Sequence, residues 1–306
     1  MSRIDRITLR QLRALAEVAG AESVVVAAGR LGLTGPAVHS QLRNLQDALG
    51  VPLLTRDGRA GARPTPEGAA LLAAHARIRA ALDRALHEID DLRAGRTGSV
   101  VLGCVSTAKY FAPGIVARLS AAMPRIAVRL VVANRRETID ALARGEFDLC
   151  IMGRPPRTPL VEALPLGPHP HVLIAAADHP LAGQADLESR DIAGERFILR
   201  EPGSGTRILS MRLLTDMIAE PGVEPVTMDS NETIKQAVMS GLGIAFISAH
   251  TVAQELHDRR LAVLDLKGTP VLRQWYLLVD DAPTPAALQV RDWLVAQGPA
   301  IFPALP

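Results

Sequence analysis

The feature that most restricts the fold of this chain is a series of short helix signals in its first fifty residues. Thr8 and Gln11 stand at capping-box spacing, which predicts the start of a first helix. Ser23 is placed to cap a second helix and Thr34 a third, with a tight turn at Gly32 between them. The third helix has apolar residues at helical spacing, namely Val38, Leu42, Leu45 and Leu49. Two short helices joined in this way predict a helix-turn-helix.

The third predicted helix carries polar residues on the face that points away from this core. The first turns of such a helix usually meet base edges in the major groove of DNA. Residues 51–63 then follow a strand, turn, strand pattern with arginines near the tip, which predicts a wing. We expect DNA contacts from the helix and the wing at Thr34, Gly35, Pro36, Ala37, His39, Ser40, Arg43, Arg56 and Arg59. A generic three-helix domain is the alternative.

The charge distribution agrees with a DNA-binding terminus. The net charge of the chain is +2, but residues 1–63 carry nine arginines against five acidic residues and so hold +4. A basic terminal unit on a nearly neutral body suits binding to the phosphate backbone. On charge alone, a solvated basic surface remains an equal alternative.

A long amphipathic helix is predicted next, from Thr65 and Pro66 to about Arg93. Its apolar stripe is formed by Leu71, Leu72, Ile78, Leu82, Ala85, Leu86, Ile89 and Leu92. A helix of this length and pattern at a domain junction needs a partner, either in a second copy or in its own chain.

From Ser99 onward, strand patterns and helix patterns alternate, which predicts an α/β region with parallel sheets. The expected strands are 100–105, 126–132, 149–152, 172–176, 197–199, 244–247 and 275–279, and the expected helices are 112–122, 137–144, 206–218, 232–240 and 286–296. Short links near 165–170 and 267–270 predict two lobes joined by two crossovers. A ligand would bind in the cleft between the lobes, at the carboxyl ends of strands.

Cationic and hydroxyl side chains collect where the predicted strands meet helices. Helix N-termini there offer unpaired N–H donors, and Gly203 and Gly205 let the backbone approach a ligand closely. A single segment of this kind is more often an ordinary turn and helix cap, but together the segments predict an anion site, in which Lys109, Arg154 and Arg207 could neutralise a phosphate. The predicted site residues are Ser106, Thr107, Lys109, Asn134, Arg136, Gly153, Arg154, Arg200, Gly203, Ser204, Gly205, Thr206, Arg207 and Asn231.

Several functional classes receive little support from the sequence. Cys104 and Cys150 each lie in an apolar run, as buried free thiols do, and no spacing typical of a metal site or a disulfide framework is present. The first residues do not form a signal segment and no run reaches the roughly 20 apolar residues that span a bilayer, so we expect a cytoplasmic chain without membrane contact.

Two rival functions remain open. An enzyme is one, although the sequence shows no Ser/His/Asp, Cys/His or Walker-type grouping, and Glu201 and Glu232 are the only candidate pair of carboxylates. A solute-binding protein for transport is the other, since it shares the two-lobed architecture. The missing signal segment and the helix-turn-helix count against it.

The N-terminal residues resemble the LysR-type transcriptional regulators. The matching residues are Thr8-Leu9-Arg10-Gln11-Leu12, Ala27-Ala28, Leu31, Thr34-Gly35-Pro36-Ala37-Val38, Leu45, Leu49-Gly50-Val51-Pro52-Leu53-Leu54, Arg56 and Thr65-Pro66-Glu67-Gly68. This resemblance implies a winged helix-turn-helix domain over 1–64, a dimerisation linker helix over 65–94 and a two-lobed, periplasmic-binding-protein-like effector domain over 98–306. Lobe I would comprise 98–166 and 269–306, and lobe II 167–268. The family usually carries Gln and Ser where this chain has Gly35 and His39, so its base contacts are expected to differ.

The segments 105–111, 151–156, 200–207 and 230–239 are similar to the CbbR subgroup of this family, which controls Calvin-cycle carbon-fixation operons. The resemblance implies no bound cofactor, but an effector such as ribulose bisphosphate, phosphoenolpyruvate, NADPH or ATP. It also implies a homodimer or homotetramer that binds double-stranded promoter DNA and recruits RNA polymerase. Because Gly35 and His39 are atypical, a paralogue that controls another operon is the alternative.

Overall fold

A computed structural model describes residues 3–57, 61–93, 96–213 and 224–305. The chain divides into two compact units, one comprising Met1–Leu86 with Ala143–Gly145 and the other comprising His87–Leu142 and Glu146–Pro306. Within the described ranges, no helix is both long enough and apolar enough to cross a membrane.

The first unit contains the predicted helix-turn-helix and wing. Its elements are α1 (Leu9–Ala19), α2 (Val24–Leu31), α3 (Gly35–Leu49), β1 (Leu54–Asp57), β2 (Gly61–Pro64) and the first part of α4 (Pro66–Arg93). The Thr8 hydroxyl accepts from the Gln11 N–H at 3.3 Å and the Gln11 side chain accepts from the Thr8 N–H at 2.8 Å, which confirms the capping box. Ser23 caps α2. Thr34 occupies the N-cap position of α3, as predicted, but its side chain makes no capping hydrogen bond.

The core of the first unit lies between α1, α2 and α3. Leu15, Val38 and Leu45 are fully buried there, and Leu53 closes the core from the segment before the wing. The Thr65 hydroxyl donates to the Pro52 carbonyl at 2.9 Å and accepts from the Gly68 N–H at 3.0 Å, which fixes the start of α4 against this core.

The predicted linker helix is present as α4, and much of its apolar stripe is uncovered in the single chain. The exposed fractions of its apolar residues lie between 40% and 66% at Ile78, Leu82, Leu86, Ile89 and Leu92. Side chains of this kind at helical spacing are normally covered by a partner surface.

The second unit is an α/β structure around one mixed, seven-stranded sheet. Its strands are β3 (Gly98–Val105), β4 (Ile126–Ala133), β5 (Leu149–Met152), β6 (Glu162–Ala176), β9 (Ala245–Ser248), β10 (Leu261–Leu264) and β11 (Val271–Val279), while β7 (Ile198–Arg200) and β8 (Val226–Met228) form a separate parallel pair. Its helices are α5 (Ala112–Ala122), α6 (Arg135–Ala143), α7 (Ser189–Ile192), α8 (Gly205–Leu213), α9 (Asn231–Met239), α10 (Ala253–His257) and α11 (Pro285–Gln297). The predicted extension of α8 to 218 lies outside the described residues.

The predicted parallel pairing is confirmed for β3 with β4 and β5 and for β7 with β8, but it does not extend to β6, which is antiparallel to β9, β10 and β11. Residues 165–170, which the sequence predicts as a loop-like link, lie inside the fifteen-residue strand β6. Strand β11 pairs with β6 from Val271 opposite His171 to Val279 opposite Glu162, with an irregularity between Trp275 and Tyr276. The two crossovers between the lobes are therefore a hydrogen-bonded pair of strands rather than loops.

The main core of the second unit packs around β3, β5 and β11. Cys104 and Cys150 are buried free thiols in it, as the sequence predicts, and burial raises the pKa of Cys104 to about 12. Gly103 in β3 lets the ring of Phe147 lie directly over the strand, because a Cβ at this position would stand 2.4 Å from a ring carbon. The aromatic ring thus occupies the space that any other residue at 103 would need.

We expect Gly103→Ala to lower the free energy of unfolding of the full chain by about 1–3 kcal/mol, because an overpacked core must shift its neighbours. Gly114→Ala is the matched control, since a Cβ there meets nothing within 4 Å and the residue lies in helix α5. Urea unfolding followed by circular dichroism measures both. Equal stability of the two variants would contradict the close packing of Phe147 on β3.

Candidate functional site

A cavity of about 740 Å³ opens in the second unit between the two lobes. It lies where β3 and β5 end, beside the paired strands β6 and β11 and the N-terminus of α8. None of the described residues that line it is acidic. Its charged and polar lining consists of Ser106, Thr107, Arg135, Arg154, His169, His171, Ser204, Thr206, Arg212, Arg273, Gln274 and Tyr276.

The structure brings half of the sequence-predicted effector residues to this cavity. Those that line it are Ser106, Thr107, Gly153, Arg154, Ser204, Gly205 and Thr206. Those that do not are Lys109, Asn134, Arg136, Arg200, Gly203, Arg207 and Asn231. Most of the predicted residues that do not line the cavity have side chains that contact other residues of the protein instead.

The N-terminus of α8 supplies the lobe II wall of the cavity. Ser204 and Thr206 are buried there at 3% and 6% exposure, and the Ser204 N–H donates to the Glu201 carbonyl at 3.2 Å. A Cβ at Gly205 would stand 3.2 Å from Cδ of Arg135, so the glycine allows the arginine to lie against the first turn of the helix. The unpaired N–H groups of such a turn and an adjacent guanidinium both favour an anion.

Arg135 and Arg154 supply the lobe I wall. The Arg135 guanidinium donates to the backbone carbonyl of Arg154 at 2.6 Å, which holds the two residues side by side. Burial lowers the pKa of Arg135, and the charge of Arg154 lowers it further. Since arginine remains protonated at neutral pH, two like charges are kept close together without a carboxylate between them, and an anion would relieve their repulsion.

Arg200 is a buried link between the lobes rather than a lining residue. It is 3% exposed, and its guanidinium donates to both carboxylate oxygens of Glu201 at 2.7 and 2.9 Å. It also donates to the Asn231 side-chain oxygen at 2.5 Å and to the Ser106 hydroxyl of lobe I at 3.3 Å. Because Glu201 already neutralises its charge, Arg200 joins the elements around the cavity.

Two other predicted cations are also engaged elsewhere. The Arg207 guanidinium donates to the Arg200 carbonyl at 2.6 Å and to the Thr227 hydroxyl at 3.2 Å, along the β7–β8 pair. The Lys109 ammonium lies 3.9 Å from a carboxylate oxygen of Glu232 and 5.1 Å from the centre of the Tyr110 ring. Of the three cations that the sequence groups around a phosphate, Arg154 alone lines the cavity.

Asn134 and Arg136 flank the cavity-lining Arg135 without lining the cavity themselves. Asn134 caps α6, because its side chain accepts from the Glu137 N–H at 3.0 Å. Arg136 lies against Gly203, whose φ of 98° requires glycine or strain. The sequence places a cation at this junction correctly but selects the neighbour of the residue that faces the cavity.

The sequence analysis did not select several polar side chains that line the cavity. They are Arg135 of α6, Arg212 of α8 and five residues of the crossing strands, namely His169, His171, Arg273, Gln274 and Tyr276. A signal was present, because His169 and His171 have the i, i+2 spacing of one strand face. It was hidden by the prolines of 165–170, which favour a link over a strand.

His169, His171 and His250 belong to an aromatic cluster beside the cavity. The His169 ring stacks on Trp275 with centroids 3.7 Å apart, and the indole N–H of Trp275 donates to Nδ1 of His250 at 3.1 Å. Burial lowers the pKa of His171 and of His250 to about 4, and it lowers that of His169 well below its usual value. All three imidazoles are therefore neutral at pH 7.

The predicted DNA-contact residues occupy the outer side of the first unit. Thr34, Pro36, His39, Ser40 and Arg43 are exposed, while Gly35 and Ala37 are half-buried. Arg56 lies in β1, and Arg59 lies outside the described residues. A Cβ at Gly35 would meet nothing within 4 Å, so packing within the unit does not require glycine there.

Two family models match the chain. Residues 9–69 match the bacterial regulatory helix-turn-helix protein, lysR family, and residues 93–299 match the LysR substrate binding domain. Together these matches cover most of the chain and leave residues 70–92, which form most of α4, between them.

Individual relatives are similar over most of the chain. The HTH-type transcriptional regulator CbbR of Cereibacter sphaeroides is 48% identical and covers 100% of both chains. The RuBisCO operon transcriptional regulator of Allochromatium vinosum is 36% identical over 95% of this chain and 96% of its own. The solved CcmR regulatory domain of Synechocystis PCC6803, in complex with 2-PG, is 32% identical over 66% of this chain and 97% of its own, with a TM-score of 0.60.

The buried histidines should make the fold sensitive to acid. Burial lowers the folded-state pKa of His250 from 6.5 to about 4. Between these two pH values the unfolded state binds a proton at this residue and the folded state does not, so stability falls as the pH falls. We expect the wild type to lose about 2 kcal/mol more unfolding free energy than His250→Gln between pH 7.5 and pH 5. Urea titrations of both chains at the two pH values test this, and parallel pH dependences would show that His250 does not resist protonation.

Proposed function

Because the chain belongs to the LysR family of bacterial transcriptional regulators, we propose that it controls a carbon-fixation operon in response to a small phosphorylated metabolite. It is a DNA-binding regulator rather than an enzyme. Relatives named as CbbR and as a RuBisCO operon regulator support the carbon-fixation target. The cavity with its four arginines and no acidic lining residue is the single observation that supports the effector class.

The shape and charge of the cavity favour an effector with more than one anionic group. Arginines approach it from α6, from the end of β5, from α8 and from β11, so positive charge surrounds the space rather than marking one end of it. A volume of about 740 Å³ exceeds the need of a single phosphate and falls within the usual range of metabolite sites. Ribulose bisphosphate, phosphoenolpyruvate, NADPH and ATP all have the required charge. A complex with 2-PG in the related CcmR domain supports the same class of ligand.

The DNA-binding half of the proposal depends on α3. Its exposed His39, Ser40 and Arg43 would face the major groove, and the basic wing would contact phosphates. Because Gly35 offers no side chain to read a base, the operator sequence is expected to differ from that of relatives with glutamine there. The same feature favours the second candidate function, a regulator of a different metabolic operon in the cytoplasm.

Self-association follows from the uncovered stripe of α4. Members of this family act as oligomers, and a second copy of α4 would cover the exposed Leu82, Leu86 and Ile89. A homodimer would place two helix-turn-helix units on one pseudo-palindromic promoter site, and a homotetramer would bend the DNA between two such sites.

The proposed mechanism is a shift between two arrangements of the subunits. An anion that contacts Arg135 of lobe I and the first turn of α8 in lobe II stabilises one separation of the lobes. The buried contact of Arg200 with Ser106 bridges the same two lobes and would move with them. An effector changes the regulator only if it binds the two arrangements unequally. The favoured arrangement then alters DNA bending and contact with RNA polymerase.

Arg135→Ala should weaken binding of the tightest of the four candidate effectors about tenfold to a hundredfold, since one charge-assisted contact is lost. Calorimetric titration of the full-length chain measures the affinity. Arg207→Ala is the matched control, because its guanidinium lies on the Arg200 carbonyl, and we expect it to bind as the wild type does. Wild-type affinity in Arg135→Ala, or equal losses in both variants, would place the effector elsewhere.

Arg43→Ala should weaken binding to the DNA upstream of the RuBisCO operon of the same genome at least about tenfold, while effector affinity stays unchanged. Arg190→Ala, an exposed arginine of lobe II, is the control and should bind this DNA normally. Fluorescence anisotropy with labelled promoter DNA and a scrambled duplex measures the effect. If the wild type binds both duplexes equally, the carbon-fixation operon is not its target.

A further inference from the structure

We propose that His169 and His171 form a second anion subsite in the cavity, which takes up a proton when the effector's second anionic group binds. This inference rests on the proposed function of the cavity, because it assigns one part of the effector to one part of the lining. The ligand class it requires has two separated anionic groups, either two phosphates or a phosphate and a carboxylate.

The position of the two rings carries the proposal. Both histidines lie on β6, two residues apart, and both line the cavity at 4% and 3% exposure. Their ring centroids are 4.2 Å apart, and His169 is fixed on its other side by the stack on Trp275 at 3.7 Å. Rings held in this way cannot turn away to water, so a ligand would meet them in a fixed orientation.

Their hydrogen bonds leave a nitrogen of each ring for a ligand. Nε2 of His169 lies 2.9 Å from the Ser248 hydroxyl, while its buried Nδ1 has no hydrogen-bond partner. Nδ1 of His171 lies 3.2 Å from the His169 carbonyl, an oxygen that can only accept, so this nitrogen carries the proton and Nε2 holds the lone pair. A buried polar atom without a partner is uncommon in native structures and indicates an interaction completed by something else.

Gly153 provides the space beside the unpartnered nitrogen. A Cβ at this position would stand 2.7 Å from Nδ1 of His169, so only glycine leaves room for that edge of the ring. Gly153 lines the cavity next to Arg154, which belongs to the lobe I wall described above. The glycine therefore joins the arginine wall to the histidine pair.

The groups that face the histidines are all cationic or neutral. Arg273 of β11 stands directly opposite His169 in the strand register, and His250 lies on the adjoining segment after β9. The cavity-lining arginines of the other elements are Arg135 of α6, Arg154 after β5 and Arg212 of α8. Besides burial, Arg273 and His250 oppose protonation of His171, and the two neighbouring imidazoles oppose protonation of His169.

An anion beside the pair reverses that preference. Burial holds the pKa of His171 at about 4, and the charge of Arg273 contributes to this. A bound phosphate or carboxylate replaces part of that repulsion by attraction, which raises the pKa of the imidazole toward neutrality. Binding then consumes a proton, so the affinity rises as the pH falls, by at most tenfold per pH unit for each proton taken up.

The direction of proton exchange on binding distinguishes titration of a histidine from titration of the phosphate itself. A phosphate monoester loses its own second proton near pH 6, and arginines favour the more highly charged form, so a site without histidine would release protons and bind more tightly as the pH rises. Proton uptake on binding is therefore not expected from the phosphate and the arginines alone.

The test is calorimetric titration of the full-length chain with ribulose bisphosphate, phosphoenolpyruvate, NADPH and ATP. Each candidate that binds is titrated at pH 6.5 in two buffers of different ionisation enthalpy, which gives the number of protons taken up. We expect the wild type to take up about one proton more than His171→Gln, and the variant to lose about tenfold in affinity at pH 6.5 but less at pH 8.

His250→Gln is the matched control, because His250 shares the aromatic cluster and the lowered pKa but does not line the cavity. It should keep the wild-type proton count. If a candidate binds and the proton counts of wild type and His171→Gln are equal, the histidine subsite is refuted while the arginine cavity stands. If no candidate binds the wild type, the proposed function fails, and the histidine subsite fails with it.

Discussion

The antiparallel pairing of β6 with β11 is the interaction on which the second unit depends. The two strands stay paired from Val271 and His171 to Val279 and Glu162, so they run through both lobes within the one seven-stranded sheet. Loops would let the lobes move freely, whereas a hydrogen-bonded strand pair restricts them to small changes of bend and twist. The irregularity at Trp275 and Tyr276 lies within this pair. A ligand between the lobes can therefore change their separation only by bending or twisting this strand pair.

The arginines around the cavity fall into two groups according to their partners. Arg200 and Arg207 have their charges or donors engaged by Glu201 and by the β7 backbone, so they organise lobe II. Arg135 donates to the Arg154 carbonyl and to Sδ of Met152, which are both uncharged, and it lines the cavity together with Arg154. An anion gains most where positive charge is fixed in place and carries no counter-charge, because little reorganisation is needed on binding. Arg200 and Arg207 therefore stabilise the walls of the cavity, whereas Arg135 and Arg154 are available to attract an anion.

The sequence predicted most of the architecture because that architecture follows local rules. Capping residues, helical apolar spacing and the long amphipathic stripe define α1 to α4 within short windows. The buried runs around Cys104 and Cys150 identify β3 and β5 in the same way. Strand β6 was missed over 165–170, because prolines locally favour a link and only the partner strand β11 makes a strand stable there. Pairing with a strand about a hundred residues away is not a local property.

By itself, the sequence determined the family, the helix-turn-helix, the linker helix and the presence of cationic residues at strand ends, because each of these follows from a pattern within a short segment. Tertiary structure alone decided which cation faces the ligand. Arg135 and Arg136 are neighbours in sequence, yet one lines the cavity and the other lies against Gly203. Lys109 and Arg207 found partners in Glu232 and in the Arg200 carbonyl, which no local pattern reveals. A long side chain is available to a ligand only when the fold has given it no other partner, and that depends on residues brought together by the whole chain.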